Sequence, residues 1–131
     1  MILVDSCVIL DVMTEDKIWY DWSLEQMDKF RPKLCINAII YAELSGKESS
    51  METLDLWLTD FHRTHIPFEA AFLASKAFIR YKNKEKGTKT SPLSDFFIGA
   101  HAVSSNMKLL TRDIRRYQTY FPEIKLIHPY Q

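Results

Sequence analysis

The sequence predicts a single α/β domain spanning residues 1–131, three α/β/α layers around a short parallel sheet of four to five strands. Three observations predict it. Short apolar runs alternate with segments of helical periodicity along the whole chain. The first run, Met1–Val4, is continuously apolar, as a strand covered on both faces requires. The 131 residues are 47% hydrophobic, with eight Phe, six Tyr and three Trp, enough for one core and too few for two.

After the strand Met1–Val4, Val8–Met13 reads as the opening of a helix. Residues 16–31 carry Ile18, Trp19, Trp22, Met27 and Phe30 at helical spacing, and Pro32 closes that segment. Lys33–Ile36 is a second strand, and Asn37 is placed to cap the helix Ala38–Leu44. Gly46 and Ser49-Ser50 interrupt the chain. Ser50 then caps a helix whose apolar positions are Leu54, Trp57, Leu58 and Phe61. His65–Phe68 reads as a third strand, its Pro67 suiting an edge or a strand end.

Glu69–Lys84 reads as a long helix with Phe72, Leu73, Ala77, Phe78 and Tyr81 inward. A basic stretch, Lys82–Ser91, follows as a loop. Ser91-Pro92 marks the start of a helix Pro92–Ser105, whose Gly99, Ala100 and Ala102 permit close packing. Lys108–Thr111 and Lys125–His128 complete the strands.

Nothing approaches an 18-residue apolar run, so no membrane span is expected. The start MILVDSCVILDVM lacks the flank and cleavage site of a signal peptide. Cys7 and Cys35 have no CxxC partner and suit a reducing, cytoplasmic setting as small buried hydrophobes. The histidines His62, His65, His101 and His128 show no metal-ligand spacing. The net charge of zero hides an asymmetry. Residues 1–61 hold twelve acids and five bases, net −7, and residues 62–131 hold the reverse, net +7. Such a division points to a polyanionic partner or to a dipolar, solvated surface.

Four acids carry the chemistry. Ligands of open α/β sheets bind outside the carboxyl ends of the strands. Asp5 ends the first strand, Asp113 follows Lys108–Leu110 by three residues, Glu43 lies on the helix after the second strand, and Asp95 starts its helix. Alone, each has an ordinary explanation: Asp5 as a helix cap, Glu43 as a solvated residue, Asp95 as a partner of the helix dipole, Asp113 as the head of a turn. Together they are costly, because each carboxylate opposes the ionisation of the next. A hard divalent ion such as Mg2+ or Mn2+ relieves that cost and suits phosphodiester hydrolysis.

The three segments ILVDSCVIL, INAIIYAEL and SPLSDFFIGAHA with LLTRDIRRYQTYFP present Asp5, Glu43, Asp95 and Asp113 in order. In this the chain resembles the PIN-domain ribonucleases, and within them the VapC-type toxins of toxin–antitoxin pairs. The resemblance spans nearly the whole chain. It implies a PIN-like fold, hydrolysis of RNA such as tRNA or rRNA with Mg2+ or Mn2+, a homodimer, and a cognate antitoxin. It makes Asp5, Glu43, Asp95 and Asp113 the catalytic, metal-binding set, and Ser6 and Thr111 supporting hydroxyls. Cys7 departs from the family, where a small polar residue such as Asn is common.

Lys82, Lys84, Lys86 and Lys89 before Asp95, and Arg112, Arg115 and Arg116 around Asp113, then form a candidate basic rim for RNA phosphates. Tyr81, Tyr117 and Tyr120 are expected to pack rather than stack on bases. Trp19, Trp22, Met27 and Phe30 suit core packing or a groove for a partner helix.

Two other enzyme-like readings fail. A haloacid-dehalogenase-like phosphatase needs a second Asp two residues after the first, where Cys7 stands. A receiver domain needs an Asp after the third strand, where the chain reads Phe68-Glu69. The remaining alternative is a catalytically inert PIN-like module that binds RNA or protein. An inert scaffold gains nothing from four clustered acids, which favours the enzyme.

Overall fold

The computed structural model describes residues 1–85 and 93–130, with the side chain of residue 85 outside the description. The expected helix start at Ser91-Pro92 and the candidate cations Lys86 and Lys89 lie outside those residues. Five strands form one parallel sheet: β1 (Ile2–Val4), β2 (Leu34–Ile36), β3 (His62–Arg63), β4 (Lys108–Leu110) and β5 (Leu126–Ile127). Their order is β3-β2-β1-β4-β5. The chain thus builds outward from β1 to β3, then returns to the other side of β1, which creates a topological switch between β1 and β4.

Every residue of β1 and β2 is buried. Successive strand side chains point to opposite faces, so helices must cover both. Those helices are α1 (Ser6–Met13), α2 (Tyr20–Lys29), α3 (Ala38–Ser45), α4 (Met51–Trp57), α5 (Phe68–Glu85), α6 (Leu93–Ser104) and α7 (Ile114–Tyr120). Asn37 caps α3 by accepting from the Ile40 amide at 2.9 Å, and Ser50 caps α4 through the Thr53 amide at 3.2 Å. Both caps stand where the sequence places them.

Helix α2 begins later than residue 16 because Asp16 intervenes. Its Oδ1 accepts from the amides of Ile18 and Trp19, each at 2.9 Å, and this local turn competes with helix. A short 3-10 turn, Arg31–Lys33, carries Pro32 between α2 and β2.

The third strand differs from expectation. It is His62–Arg63, not His65–Phe68, and pairs with Cys35 and Ile36 of β2. The apolar look of Ile66–Phe68 was misleading, since Pro67 has no amide to donate. The exposed, polar side chains of His62 and Arg63 instead suit an edge, where they discourage further pairing.

Phe72 is a second correction: it is 68% exposed rather than inward. Ala70, Ala74 and Ala77 form the fully buried line of α5 and let it pack closely on α6. Trp57, at the end of α4, is likewise exposed, while Leu54, Leu58 and Phe61 are buried.

Helix α6 carries Gly99 for a steric reason. A Cβ there would lie 2.5 Å from Phe121 Cε2 and 3.2 Å from Tyr117 Cδ1. Its neighbour Phe96 stacks on Tyr120 with ring centroids 4.0 Å apart, and Tyr81 packs against both. The tyrosines Tyr81, Tyr117 and Tyr120 therefore belong to packing, as expected. No described helix is long and apolar enough to cross a membrane.

Candidate active site

The β1–β4 switch places Asp5 and Thr111 side by side. The Asp5 amide donates to the Leu110 carbonyl at 2.9 Å, continuing the strand pairing by one residue. Asp5 also caps α1, accepting from the Ser6 amide at 2.9 Å, so the ordinary role and the candidate role coincide. Its other oxygen accepts from the Thr111 hydroxyl at 2.8 Å. Thr111 Oγ1 in turn accepts from the Asp113 amide at 3.0 Å.

Glu43 approaches from α3. Its Oε1 accepts from the Ser6 hydroxyl at 2.9 Å and its Oε2 from the Ser94 hydroxyl at 3.1 Å. Ser94 is a contributor that sequence reading missed. Its signal was its position immediately before Asp95, one place into α6. Ser6 and Thr111, by contrast, both act as hydroxyl donors to the acids.

Asp95, in the first turn of α6, accepts from Arg116 Nη1 at 2.6 Å. Arg116 Nε also lies 3.3 Å from Asp113 Oδ2. Asp113 is itself the cap of α7. Of the four acids, then, Asp5 and Asp95 are buried, and Glu43 and Asp113 are half-buried.

Electrostatics show that these acids sense one another. Burial pushes the Asp5 carboxyl up to about 6; the Thr111 hydrogen bond opposes this, and the charges of Asp95 and Glu43 add to it. Burial also holds Asp95 above the ordinary carboxylate range, although Arg116 pulls the other way. Cys7 is part of the same floor. Its Sγ lies 3.7 Å from Asp5 Oδ2 and 3.8 Å from Thr111 Oγ1, so the thiol occupies the polar network as a weak donor. Burial and the Asp5 charge raise that thiol to about 12, which makes it an inert cysteine.

The basic residues divide into two kinds. Lys82, Lys84 and Arg115 are exposed. Arg112 is not available in the same way. Its Nε and Nη2 donate to Asp11 at 2.7 and 2.9 Å, and its guanidinium lies over the Trp19 ring at 5.1 Å. Asp11 is buried and also accepts from Ser23 at 2.7 Å. Trp19 further meets Trp22 and Tyr130 edge-on.

His101 is structural, as its position two turns from Asp95 implied. It is buried, and its Nδ1 is 2.9 Å from Asn37 Nδ2.

Arg116 pairs with both Asp95 and Asp113, so its removal has a defined consequence. Arg116→Ala is expected to destabilise the metal-free protein by about 1 kcal/mol, given the screening at its half-exposed guanidinium. Thermal melts with and without Mn2+ check this, because added cation should recover more of the loss than in wild type.

A family model for the PIN domain matches residues 2–122, and the chain belongs to that family. Comparison with curated protein sequences finds no match. Solved structures do match in fold. A chain of VapBC2 from Rickettsia felis, bound to a DNA fragment from its promoter, is 19% identical with a TM-score of 0.72, covering 98% of both chains. A chain of DNA-bound VapBC from Salmonella typhimurium is 20% identical with a TM-score of 0.71, covering 97% of this chain and 96% of that one. A chain of a toxin–antitoxin complex from Klebsiella pneumoniae is 17% identical with a TM-score of 0.71, covering 100% and 99%. At such identity, what is shared is the fold.

Proposed function

We propose that this protein is a divalent-metal-dependent endoribonuclease and the toxin of a toxin–antitoxin pair. The observation that carries the reading is the meeting of Asp5, Glu43 and Asp95 at the β1–β4 switch, where Ser6 joins Asp5 to Glu43 and Ser94, next to Asp95, joins Glu43 to α6, and where the charges of Asp95 and Glu43 add to the effect of burial in raising Asp5. An uncharged or inert scaffold has no use for such repulsion.

The donor set fits a hard cation in chemistry. Asp5, Glu43, Asp95 and Asp113 offer only oxygen, which selects Mg2+ or Mn2+ over softer ions. Arg116 contacts Asp95 and Asp113 and leaves Asp5 and Glu43 without a cationic hydrogen-bond partner among the described residues. As they stand, no group of three or more acidic, histidine or cysteine side chains among the described residues is gathered to ion-binding separation. The surplus negative charge at Asp5 and Glu43 is what a divalent ion would balance.

When bound, such an ion supplies an activated water and charge stabilisation on the phosphate. The chain's own groups do the rest. Ser6 and Ser94 hold both oxygens of Glu43, and Thr111 holds Asp5 while Asp113 holds Thr111. Lys82, Lys84 and Arg115 are exposed and suit RNA phosphates, as do the sequence positions Lys86 and Lys89. Arg116 reaches both the acids and the surface, so it suits a phosphate at the site's edge. Substrates in keeping with this reading are structured RNAs such as tRNA or rRNA.

The partner reading follows from two supports. The similar structures are described as VapBC and toxin–antitoxin complexes. Phe68, Phe72 and Ile79 also form an exposed apolar line along α5, at 93%, 68% and 49% exposure, which suits a homodimer contact.

The test is a cleavage assay on purified protein freed of partners, using a structured RNA. Cleavage should require Mg2+ or Mn2+, fall at least tenfold with chelator and return when metal is restored. RNA binding without cleavage at any divalent-metal concentration would replace the enzyme with the inert binding module.

A further inference from the structure

A cavity of about 390 Å3 opens at the carboxyl ends of β2 and β3. Its walls are apolar, formed by Ile36, Ala38, Met51 and Ile66. One side carries an arginine held in place by two neighbours. Arg63 Nη2 donates to Asp55 Oδ1 at 2.7 Å, and the Tyr41 hydroxyl donates to the same oxygen at 2.9 Å. The guanidinium carbon of Arg63 lies 5.1 Å from the centre of the Tyr41 ring. Side chains from α3, α4 and β3 thus fix one half-exposed arginine. An ion pair at the surface adds little stability, and immobilising an arginine costs rotamer freedom, so the fold itself gains little here. A ligand that meets a guanidinium already in position does gain, because the ordering cost has been met in advance.

Sheet register sets this cavity beside the acids. Leu3 pairs with Cys35, and Cys35 pairs with His62. Asp5, Asn37 and Thr64, each two residues further on, therefore follow in a row across three neighbouring strands. The Thr64 amide donates to the Ile36 carbonyl at 2.9 Å, which extends the pairing to that level. Neighbouring strands lie about 5 Å apart, so the Asn37 and Thr64 backbones stand about 5 and 10 Å from that of Asp5. Both residues line the cavity. Helix α3 divides the two places: Tyr41 lines the cavity, while Glu43, two residues on, meets Ser6 and Ser94. Asn37 also lies 2.9 Å from His101 on α6, the helix that carries Asp95.

The lining selects the occupant. Asp55 already balances the Arg63 charge and would repel a phosphate, so the cavity suits an uncharged group. A guanidinium offers a planar face, and apolar walls favour a flat ring. Thr64 and His65 add a hydroxyl and an imidazole able to meet the edge of that ring. An aliphatic side chain of a protein would use the walls but not the guanidinium plane. Unstacked RNA bases are recognised on aromatic or arginine planes, with hydrogen bonds to their edges. We infer that the cavity receives an unstacked nucleobase of the RNA, from a nucleotide flanking the phosphate at the acids. This rests on the reading of the protein as a ribonuclease and gives that enzyme a specificity subsite, with Arg63 as the plane on which the base lies.

Binding measured in chelator tests the cavity apart from any metal. The probes are a fluorescein-labelled, mixed-sequence RNA oligomer and an abasic ribose-phosphate oligomer of the same length and charge, compared by fluorescence anisotropy. Wild type should bind the base-bearing oligomer about tenfold more tightly, within what stacking of one base supplies. Arg63→Lys keeps the charge but lacks the planar face. Ala38→Leu fills the cavity from an exposed position. Each variant should bind the two oligomers alike, with melting temperatures showing that both are folded. Equal binding of the two oligomers by wild type, or variants that retain the preference, overturns the inference and leaves the cavity to a side chain of a protein partner. A base preference lost in both variants, in a protein that cleaves no RNA with Mg2+ or Mn2+, upholds the cavity and overturns the nuclease reading instead.

Discussion

Asp5→Asn is expected to abolish RNA cleavage, by more than about a hundredfold, while making the metal-free protein more stable at neutral pH. The two effects share one cause. Folding buries the Asp5 carboxyl beside Asp95 and Glu43 and raises it from about 3.9 in the unfolded chain to about 6. Below about pH 4 the carboxyl is protonated in both states and has no effect on stability. Between about 4 and 6 the folded state binds the extra proton, so stability falls as pH rises. Above 6 the full penalty stands, on the order of 2–3 kcal/mol.

Asparagine cannot ionise, and its amide keeps an oxygen for the Ser6 amide. Melting temperatures in chelator from pH 4 to 8 should fall for wild type and remain flatter for Asp5→Asn. Mn2+ should raise the wild-type value most at neutral pH and the variant little. A variant that cleaves at the wild-type rate would refute the assignment of Asp5.

Arg112→Ala should cost about 3 kcal/mol and lower the melting temperature by roughly 10 °C. Asp11 is 3% exposed, and the paired guanidinium nitrogens of Arg112 supply its charge partner. Removal leaves a buried carboxylate with Ser23 as its one side-chain partner among the described residues, and it strips the cation from the face of Trp19. The damage spreads because Asp11 lies on α1, Ser23 on α2 and Arg112 between β4 and α7. Arg112→Lys should recover only part of the loss, since an ammonium cannot form the two-pronged contact. The double variant Asp11→Ala with Arg112→Ala should lose less than the sum of the two single changes. Thermal denaturation in a double-mutant cycle measures this, and a single-variant melting point within 2 °C of wild type would count against it.

This pair also shows where sequence reading reached its limit. The candidate acids Asp5, Glu43, Asp95 and Asp113 could be proposed together because strand ends and family segments announce themselves locally. Asp11 looks like any acid on a helix, and its partner lies 101 positions away. Arg112, flanking Asp113, therefore read as a cation for RNA when its guanidinium is turned inward. The same holds for β3. Its two polar residues carry no period, and only their pairing with Cys35 and Ile36 makes them a strand. Phe72 misled in the opposite sense, since a helical apolar pattern cannot distinguish a core face from one awaiting a partner. Ser94 escaped notice because a serine in a first helical turn is ordinary until Glu43 is seen to meet it.

The order β3-β2-β1-β4-β5 puts the first strand at the centre and makes the fourth its neighbour. Thr111 meets Asp5 across 106 positions of chain. Synthesis proceeds from the N-terminus at some 5–20 residues per second, so Asp5 emerges first and waits several seconds for the other wall. During that interval β1 has only one flank, and no partial product can assemble the four acids. The candidate site is thus withheld from the nascent polypeptide and can form only once the segment that carries Thr111 and Asp113 has followed Asp5.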